Sequence, residues 1–338
     1  MSIMSKDIGI DLGTSNIRVY VKGRGIVLDE PSVVAINKIT GEILAVGKQA
    51  REMLGRTPDN ILALKPLKDG VIADFSATKM LLQTFVSKVV QRSVFSKPRL
   101  VISVPEGITD LEERAVEEAA YKSGAKDVYT MEETMAAAIG SGLKVEKPEG
   151  SMIVDIGGGT SEMAVLSLGG VVVGNSIKIA GEKLDSDIIN YVKKKFNVII
   201  GAIEAEEVKI QIGSASSTMT EEKMNVKGRN LTTGLPDTIT LTTTDIQEAM
   251  IDSINEIVKA IKITLEQTPP ELSSDIMVQG VTLSGGCSQI KNLDRYISEQ
   301  IEIPVHVVEN PLSCVIKGLG MALENIEVLK KSTRTMKR

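Results

Sequence analysis

The sequence predicts an α/β fold made of two related halves that face each other across a cleft. Two observations lead to this fold class. An acidic strand that runs into a glycine turn and a second strand occurs twice, once at Asp11 and once at Asp155. The two copies are about one domain length apart, and each is followed by further strand and helix patterns. We therefore expect the chain to contain the same unit twice.

The two copies share their pattern of apolar residues. In the first copy, DIGIDL (7–12) and IRVYV (17–21) alternate in hydrophobicity around the turn GTSN. In the second copy, MIVDI (152–156) and EMAVLSL (162–168) flank the turn GGGTS. Apolar residues on both sides of a tight turn predict a strand, a turn and a strand in each copy.

Helices are predicted after both copies. Segment 109–125 opens with Thr109 and has Glu112 three residues later, which is a capping-box pattern. Segment 244–272 carries apolar residues at helical spacing and is closed by two prolines. A third glycine turn, in GVTLSGGCSQ (280–289), lies between a predicted strand and a predicted helix.

Composition limits the classes of function. The chain has 338 residues, of which 42% are hydrophobic and 25% charged, as in ordinary globular proteins. A net charge of -5 argues against a dedicated nucleic-acid binder, which needs clustered Lys and Arg. Two cysteines, Cys287 and Cys314, are too few for a disulfide framework and fit a reducing cytosol. No stretch has the length of a membrane span, and the N-terminus does not have the pattern of a signal peptide.

The single histidine, His306, excludes several kinds of chemistry. It lies in the alternating run IPVHVVE, which favours a position in a strand. A His-rich zinc site and a nucleophile that depends on histidine are therefore not expected.

The paired turns predict a site for a polyphosphate. Glycine turns present main-chain N–H groups to an anion, so two turns that face each other can hold a polyphosphate from both sides. Asp11 and Asp155 would then hold Mg²⁺ through water, because one or two carboxylates and substrate phosphates commonly bind this ion. One such turn alone is usually a plain hairpin, whereas two copies and a third glycine turn favour the site. The Walker and dinucleotide-binding fingerprints are absent.

Eight segments and two small-residue helical patterns, at 131–143 and 312–323, carry a resemblance to a known family. The segments, in chain order, are DIGIDLGTSN, VLDEPSVVAI, KPLKDGVIADF, VPEGITDLEERAV, VDIGGGTSE, IKIAGEKLD, GRNLTTGLP and TPPELSSDI. Together they resemble the actin, heat-shock-chaperone and sugar-kinase ATPase superfamily, and within it the bacterial actin family MreB. The resemblance covers residues 5–331.

This resemblance implies an actin-like ATPase fold, in which two ribonuclease-H-like halves surround a nucleotide cleft. The first half would be residues 1–148, with a smaller inserted subdomain at about 33–66. The second half would be residues 149–338, with an inserted subdomain at about 183–244.

The resemblance also implies which residues act on ATP. Glu133 matches the acid that positions the attacking water, with Thr160 helping from across the cleft, but the neighbouring Glu132 is a rival that sequence does not separate from it. Glu206 and Lys209 lie in a helical pattern that is usually a solvated face, and only the family match indicates a role for them. The implied ATP-binding residues are Thr14, Ser15, Asn16, Gly158, Gly159, Thr160, Gly181, Glu182, Glu206, Lys209, Gly285, Gly286, Cys287 and Ser288.

Three residues depart from the pattern of the family. Thr134 follows the predicted catalytic acid where the family usually has Pro, and Cys287 stands where a third Gly is usual. Ser161 replaces a common Thr. We expect the first change to loosen the placement of Glu133 and the second to alter nucleotide affinity.

The resemblance implies a cytoskeletal function. Members of the family form paired protofilaments with slow ATP hydrolysis, lie on the inner face of the bacterial membrane, and organise cell shape or wall synthesis with membrane-bound partners. In RSVFSKPRL (92–100), Val94 and Phe95 have basic neighbours, which suits insertion into an anionic membrane surface. The alternative is that both side chains pack inward. The basic tail 330–338 is expected to be solvated.

Two other functions use the same scaffold and are alternatives for this chain. A small-molecule kinase would need a base for a substrate hydroxyl and commonly carries larger inserts, for which this chain has little room. A chaperone-type ATPase would need a substrate-binding domain after residue 331, which the sequence does not show. We therefore expect a filament-forming, ATP-binding protein at the cytoplasmic side of the membrane.

Overall fold

Two five-stranded sheets form the centre of the molecule. The structure, a computed structural model, describes residues 7–89, 97–216 and 220–324. The elements before residue 150 are β1 (Asp7–Leu12), β2 (Asn16–Val21), β3 (Gly25–Pro31), β4 (Val34–Asn37), β5 (Ile43–Val46), α1 (Lys48–Glu52), β6 (Ile61–Leu64), β7 (Leu67–Lys68), β8 (Val71–Ile72), α2 (Phe75–Val89), β9 (Arg99–Val104), α3 (Asp110–Lys122), β10 (Asp127–Glu132) and α4 (Glu133–Gly140).

The rest of the described chain repeats the sequence of strands that opens the molecule. Its elements are β11 (Ser151–Ile156), β12 (Ser161–Ser167), β13 (Gly170–Ile177), α5 (Gly181–Phe196), β14 (Val198–Ile199), α6 (Ala202–Ile212), β15 (Lys223–Asn230), β16 (Pro236–Thr242), α7 (Thr243–Glu266), α8 (Pro270–Gln279), β17 (Val281–Ser284), α9 (Leu293–Ile301), β18 (Val305–Val307) and α10 (Cys314–Glu324).

The two large sheets have the same strand order and the same strand directions. The first runs β3-β2-β1-β9-β10 and the second runs β13-β12-β11-β17-β18. In each, the acidic strand pairs antiparallel with the strand after the glycine turn and parallel with a later strand. Asp11 lies opposite Arg18, and Asp155 lies opposite Glu162. The predicted strand–turn–strand units are confirmed, and the two acids occupy equivalent positions.

Three smaller sheets lie outside this pair. The sheet β5-β4-β6 lies between β3 and α2 in the chain, and the sheet β14-β15-β16 lies between α5 and α7. A two-stranded sheet pairs β7 with β8. The limits of the halves and of their inserted subdomains stay predictions.

Helices α4 and α10 pack against each other between the two large sheets. A buried cluster contains residues of both helices together with Val101 of β9 and Ile153 of β11. A Cβ atom at Gly318 would lie 1.8 Å from the carbonyl oxygen of Ala136, so only glycine permits this approach. Helix α4 begins with Glu133, and this contact therefore sets the position of that residue.

Both predicted helices are confirmed, and the second is followed by a short helix that the sequence did not predict. Helix α3 has the predicted capping box, in which the N–H of Glu112 donates to the hydroxyl of Thr109 and the N–H of Thr109 donates back to the Glu112 carboxylate. The helix expected over 244–272 ends at Glu266, and Pro270 begins a separate helix, α8. Proline fits the first turn of a helix, because the N–H that it lacks has no partner there.

Other expectations concern single residues and the membrane. His306 lies in β18, as its alternating neighbours predicted. Cys287 and Cys314 are both buried free thiols. Within the part of the chain that the structure describes, no helix is both long and apolar enough to cross a membrane.

Candidate functional site

A cleft of about 530 Å³ lies where β1 and β11 end, and residues from both large sheets line it. Two of the sequence-predicted residues, Glu182 and Ser288, are not in its lining. Val94 and Phe95 lie outside the described residues. The predicted residues that line the cleft are Asp11, Thr14, Ser15, Asn16, Glu133, Asp155, Gly158, Gly159, Thr160, Gly181, Glu206, Lys209, Gly285, Gly286 and Cys287.

The two glycine turns touch each other across the cleft. A Cβ atom at Gly158 would lie 2.0 Å from Ser15 Oγ, and one at Gly159 would lie 2.5 Å from Thr14 Oγ1. The first turn is also stabilised by a hydrogen bond, in which Gly70 N donates to Thr14 Oγ1 at 3.0 Å. Glycine is thus required for the close approach of the turns, as well as for exposing main-chain N–H groups.

The acids beside these turns are buried carboxyls with raised pKa values. Burial raises the pKa of Asp11, although the neighbouring Arg18, with Nη1 3.3 Å from Asp11 Oδ2, acts in the opposite direction. Burial also raises the pKa of Asp155 to about 6; the hydroxyl of Ser284, which donates at 2.6 Å, opposes this shift, and the charge of Asp11 adds to it. A cation placed between the two acids would relieve their repulsion.

The donor set fits Mg²⁺ held partly by water. Within the described ranges, no three His, Cys, Asp or Glu side chains converge to hold a metal ion by themselves. Mg²⁺ keeps several waters and needs only one or two carboxylates when phosphates complete its shell. Asp11 and Asp155, buried on the two sides of the cleft, are the residues that would hold it.

Two glutamates complete a cluster of acids in and behind the cleft. Burial raises the pKa of Glu133 well above its ordinary value, and the charges of Glu162, Asp11 and Asp155 raise it further. Burial raises the pKa of Glu162 to about 7. Glu133 is the first residue of α4 and lines the cleft, whereas Glu132 does not line it. When it is ionised, a carboxylate with a raised pKa is a stronger base than an ordinary one and binds an accepted proton more tightly.

The opposite end of the cleft is built from α5, α6 and the Gly285 turn. Lys209 is buried rather than solvated, and its Nζ donates to the carbonyl oxygen of Gly181 at 2.9 Å and pairs with Asp185 at 2.7 Å. Glu206 pairs with Arg51 at 2.5 Å across the mouth. The structure thus brings predicted adenosine-side residues together, with charges that are already partnered.

The family described as MreB/Mbl protein matches residues 5–331. The chain belongs to the MreB/Mbl family. The cell shape-determining protein Mbl of Bacillus subtilis (strain 168) is 48% identical over 329 residues, which cover 97% of this chain and 99% of that protein.

Solved structures agree with the family. MreB5 of Spiroplasma citri bound to ADP superposes with a TM-score of 0.92 at 37% identity, covering 97% of this chain and 99% of that chain. MamK in its double helical filament superposes with a TM-score of 0.82 at 22% identity, covering 95% and 99% of the two chains, and shows the fold alone. The actin-like fold expected from the sequence is confirmed.

Two predicted residues of this MreB/Mbl-family chain have other partners. The Glu182 carboxylate accepts from Lys65 Nζ at 2.5 Å, and Lys65 itself lines the cleft. The Ser288 hydroxyl donates to the carbonyl oxygen of Gly285 at 2.7 Å and so fixes the shape of that turn. A role for either residue with nucleotide stays a prediction.

The departures from the MreB/Mbl pattern are all buried, and each makes a hydrogen bond. The Thr134 hydroxyl donates to Glu106 Oε2 at 2.9 Å, and the Ser161 hydroxyl donates to the carbonyl oxygen of Ile179 at 2.6 Å. The Cys287 thiol lies 3.2 Å from the carbonyl oxygen of Gly157 and donates to it.

Sequence reasoning missed several residues near the site, among them three charged side chains that contact or neighbour predicted site residues. Arg18 and Glu162 lie directly across their strand pairs from Asp11 and Asp155, so hairpin register alone places them beside those acids. Asp185 follows Gly181 by one helical turn and shares its face of α5. These periodicities were visible in the sequence and could have identified all three.

Proposed function

We propose that this MreB/Mbl-family protein binds ATP with Mg²⁺ in the cleft, hydrolyses the nucleotide slowly, and polymerises into membrane-associated filaments that organise cell shape. The observation that carries the proposal is the contact between two glycine turns, each beside a buried acid, in one cleft of about 530 Å³. The MreB5 relatives were solved with ADP and with AMPPNP, which supports a nucleotide as the ligand.

The residues of the cleft have separate tasks in this proposal. The main-chain N–H groups of 13–16 and 157–160 bind the phosphates, and Asp11 and Asp155 hold the metal through water. Bound Mg²⁺ would stabilise the negative charge of the phosphate oxygens. The adenosine side would be contacted by the residues Gly181, Glu182, Glu206, Lys209, Gly285, Gly286, Cys287 and Ser288.

Hydrolysis requires a placed water molecule. Its oxygen bonds to the γ-phosphorus, the bond from that phosphorus to the bridging oxygen breaks, and ADP leaves with the electron pair. Glu133 orients the water and accepts its proton, and Thr160 helps from the facing turn. The raised pKa of Glu133 suits a group that binds a proton and returns it.

The second part of the proposal concerns self-association and membrane binding. The MamK relative was solved as a double helical filament, and the Mbl relative is named for determining cell shape. We expect homopolymers of paired protofilaments at the cytoplasmic face of the membrane, with membrane-bound cell-shape or wall-synthesis proteins as partners. The apolar pair Val94 and Phe95, with its basic neighbours, is the proposed attachment point.

Phosphate release tests the assignment of the acid. Glu133→Ala should bind ATP with unchanged affinity and release phosphate at least tenfold more slowly, because the water loses its orienting group. Glu132→Ala is the matched control and should keep the rate of the unaltered protein. Unchanged phosphate release in Glu133→Ala would show that Glu133 does not orient the attacking water. ATP turnover that depends on an added sugar would favour the alternative function, a small-molecule kinase.

Electron microscopy tests the assembly. With ATP, Mg²⁺ and liposomes that contain anionic lipid, the full chain should form paired filaments on the liposome surface. Val94→Ser combined with Phe95→Ser should leave the filaments intact and free in solution, because two apolar contacts with the lipid are lost. Only monomers across salt and lipid conditions would refute the assembly.

A further inference from the structure

The Glu162 carboxyl lies behind Thr160 and is surrounded by hydrogen-bond donors. It is completely buried in β12. The main-chain N–H of Glu106 donates to Oε2 at 3.0 Å, and the Ser176 hydroxyl donates to Oε1 at 2.9 Å. The Thr160 hydroxyl is close enough to the same carboxyl group to lower its pKa as a hydrogen-bond donor. A carboxylate accepts from all three groups, and in accepting from Thr160 it would hold that hydroxyl in one orientation.

A second set of contacts connects this carboxyl to the helix that carries Glu133. Thr134, the next residue of α4, is completely buried, and its hydroxyl donates to Glu106 Oε2 at 2.9 Å. The Glu106 side chain also passes directly over Gly174 of β13, where a Cβ atom would lie 2.5 Å from Glu106 Oε1. The side chain of Glu106 thus lies between α4 and β13 and fixes the segment whose N–H reaches Glu162.

The resulting chain of hydrogen bonds runs from Thr134 through Glu106 and Glu162 to Thr160. It joins the two proposed groups that act on water, Glu133 on α4 and Thr160 on the facing turn. The connection to α4 depends on the hydroxyl of Thr134, which donates to Glu106.

We propose that Glu162 is a positioning residue for ATP hydrolysis and that Thr134 holds it in place through Glu106. The inference rests on the proposed ATPase function. A Thr160 hydroxyl that donates to Glu162 turns its oxygen lone pairs away from that carboxylate, where they can accept a hydrogen bond from water. Small displacements of such groups change rates strongly. The fixed orientation of the Thr160 hydroxyl therefore affects turnover and not nucleotide binding.

The test is a cycle of variants of the full chain, assayed for phosphate release over a range of Mg²⁺-ATP concentrations. Thr134→Val keeps the side-chain shape and removes the hydroxyl; it should lower kcat about fivefold with KM unchanged, because the Glu106 side chain loses a hydrogen bond that positions it. Glu162→Gln should lower kcat about a hundredfold with KM unchanged. In the Glu162→Gln background, Thr134→Val should have no further effect, because both act through the same group.

Control variants distinguish a specific effect on the position of Glu162 from a general loss of stability. Thr264→Val removes another completely buried hydroxyl, one that donates to the Ala260 carbonyl oxygen within α7, and should leave kcat unchanged. Ser176→Ala removes one donor from Glu162 and should lower kcat about threefold, so the test does not depend on the folding of Glu162→Gln.

The possible outcomes are distinct. A Thr134→Val rate equal to that of the unaltered protein, a change in KM alone, or the same fivefold loss in both backgrounds would overturn the positioning role. A rate for the unaltered protein no higher than that of Glu133→Ala would instead refute the proposed ATPase function, and this inference with it.

Discussion

Replacing Asp155 by asparagine removes one negative charge from the cleft and leaves the shape of the side chain nearly unchanged. Burial raises the pKa of Asp155 from its ordinary 3.8 to about 6. In the unfolded chain this carboxyl ionises near pH 4, but in the folded protein it holds its proton until about pH 6. The folded state therefore binds the extra proton in this window, and its stability falls as pH rises through it.

The magnitude follows from the shift. Each pKa unit corresponds to about 1.4 kcal/mol, so the ionised Asp155 lowers the free energy of unfolding by about 3 kcal/mol above pH 6. Asparagine does not titrate. The unaltered protein should thus lose about 3 kcal/mol relative to Asp155→Asn between pH 4 and pH 8 in the absence of nucleotide and Mg²⁺.

Urea unfolding followed by far-ultraviolet circular dichroism, at a series of pH values, measures this difference. Asp237→Asn is the control: the Asn230 side chain and the Thr238 N–H lower the pKa of Asp237. The unaltered protein should therefore gain stability relative to Asp237→Asn as pH rises, which is the opposite sign. A difference between the unaltered protein and Asp155→Asn that does not change with pH would refute the reasoning.

Two glycine substitutions test close contacts. Gly318→Ala would place a Cβ atom 1.8 Å from the Ala136 carbonyl oxygen; it should lower the free energy of unfolding by about 1–3 kcal/mol in thermal unfolding, whereas Gly201→Ala, in open space, should change it by less than about 1 kcal/mol. Equal effects would contradict the α4–α10 contact. Gly158→Ala, with its Cβ atom 2.0 Å from Ser15 Oγ, should weaken ATP binding about tenfold in a titration, and unchanged affinity would show that the turns do not need to touch.

Much of the secondary structure could be predicted because its causes are local. Alternating apolar residues and glycine turns define β1–β2 and β11–β12, and Thr109 with Glu112 defines the start of α3. Helix α8 was missed because Pro270, which helps to close one helical pattern, is equally suited to begin the next helix. Local signals do not decide between those two roles of proline.

Two acidic glycine turns and the residues around them could be identified from the pattern along the chain. The tertiary structure was needed to show that Gly158 contacts Ser15, that Lys209 is buried against α5, and that the N–H of Glu106 donates to Glu162. The first and last of these contacts join segments far apart in the chain, so no local pattern specifies them. Pattern along the chain specifies which face of an element is apolar, but packing specifies which faces meet and therefore which polar groups lose water and need partners.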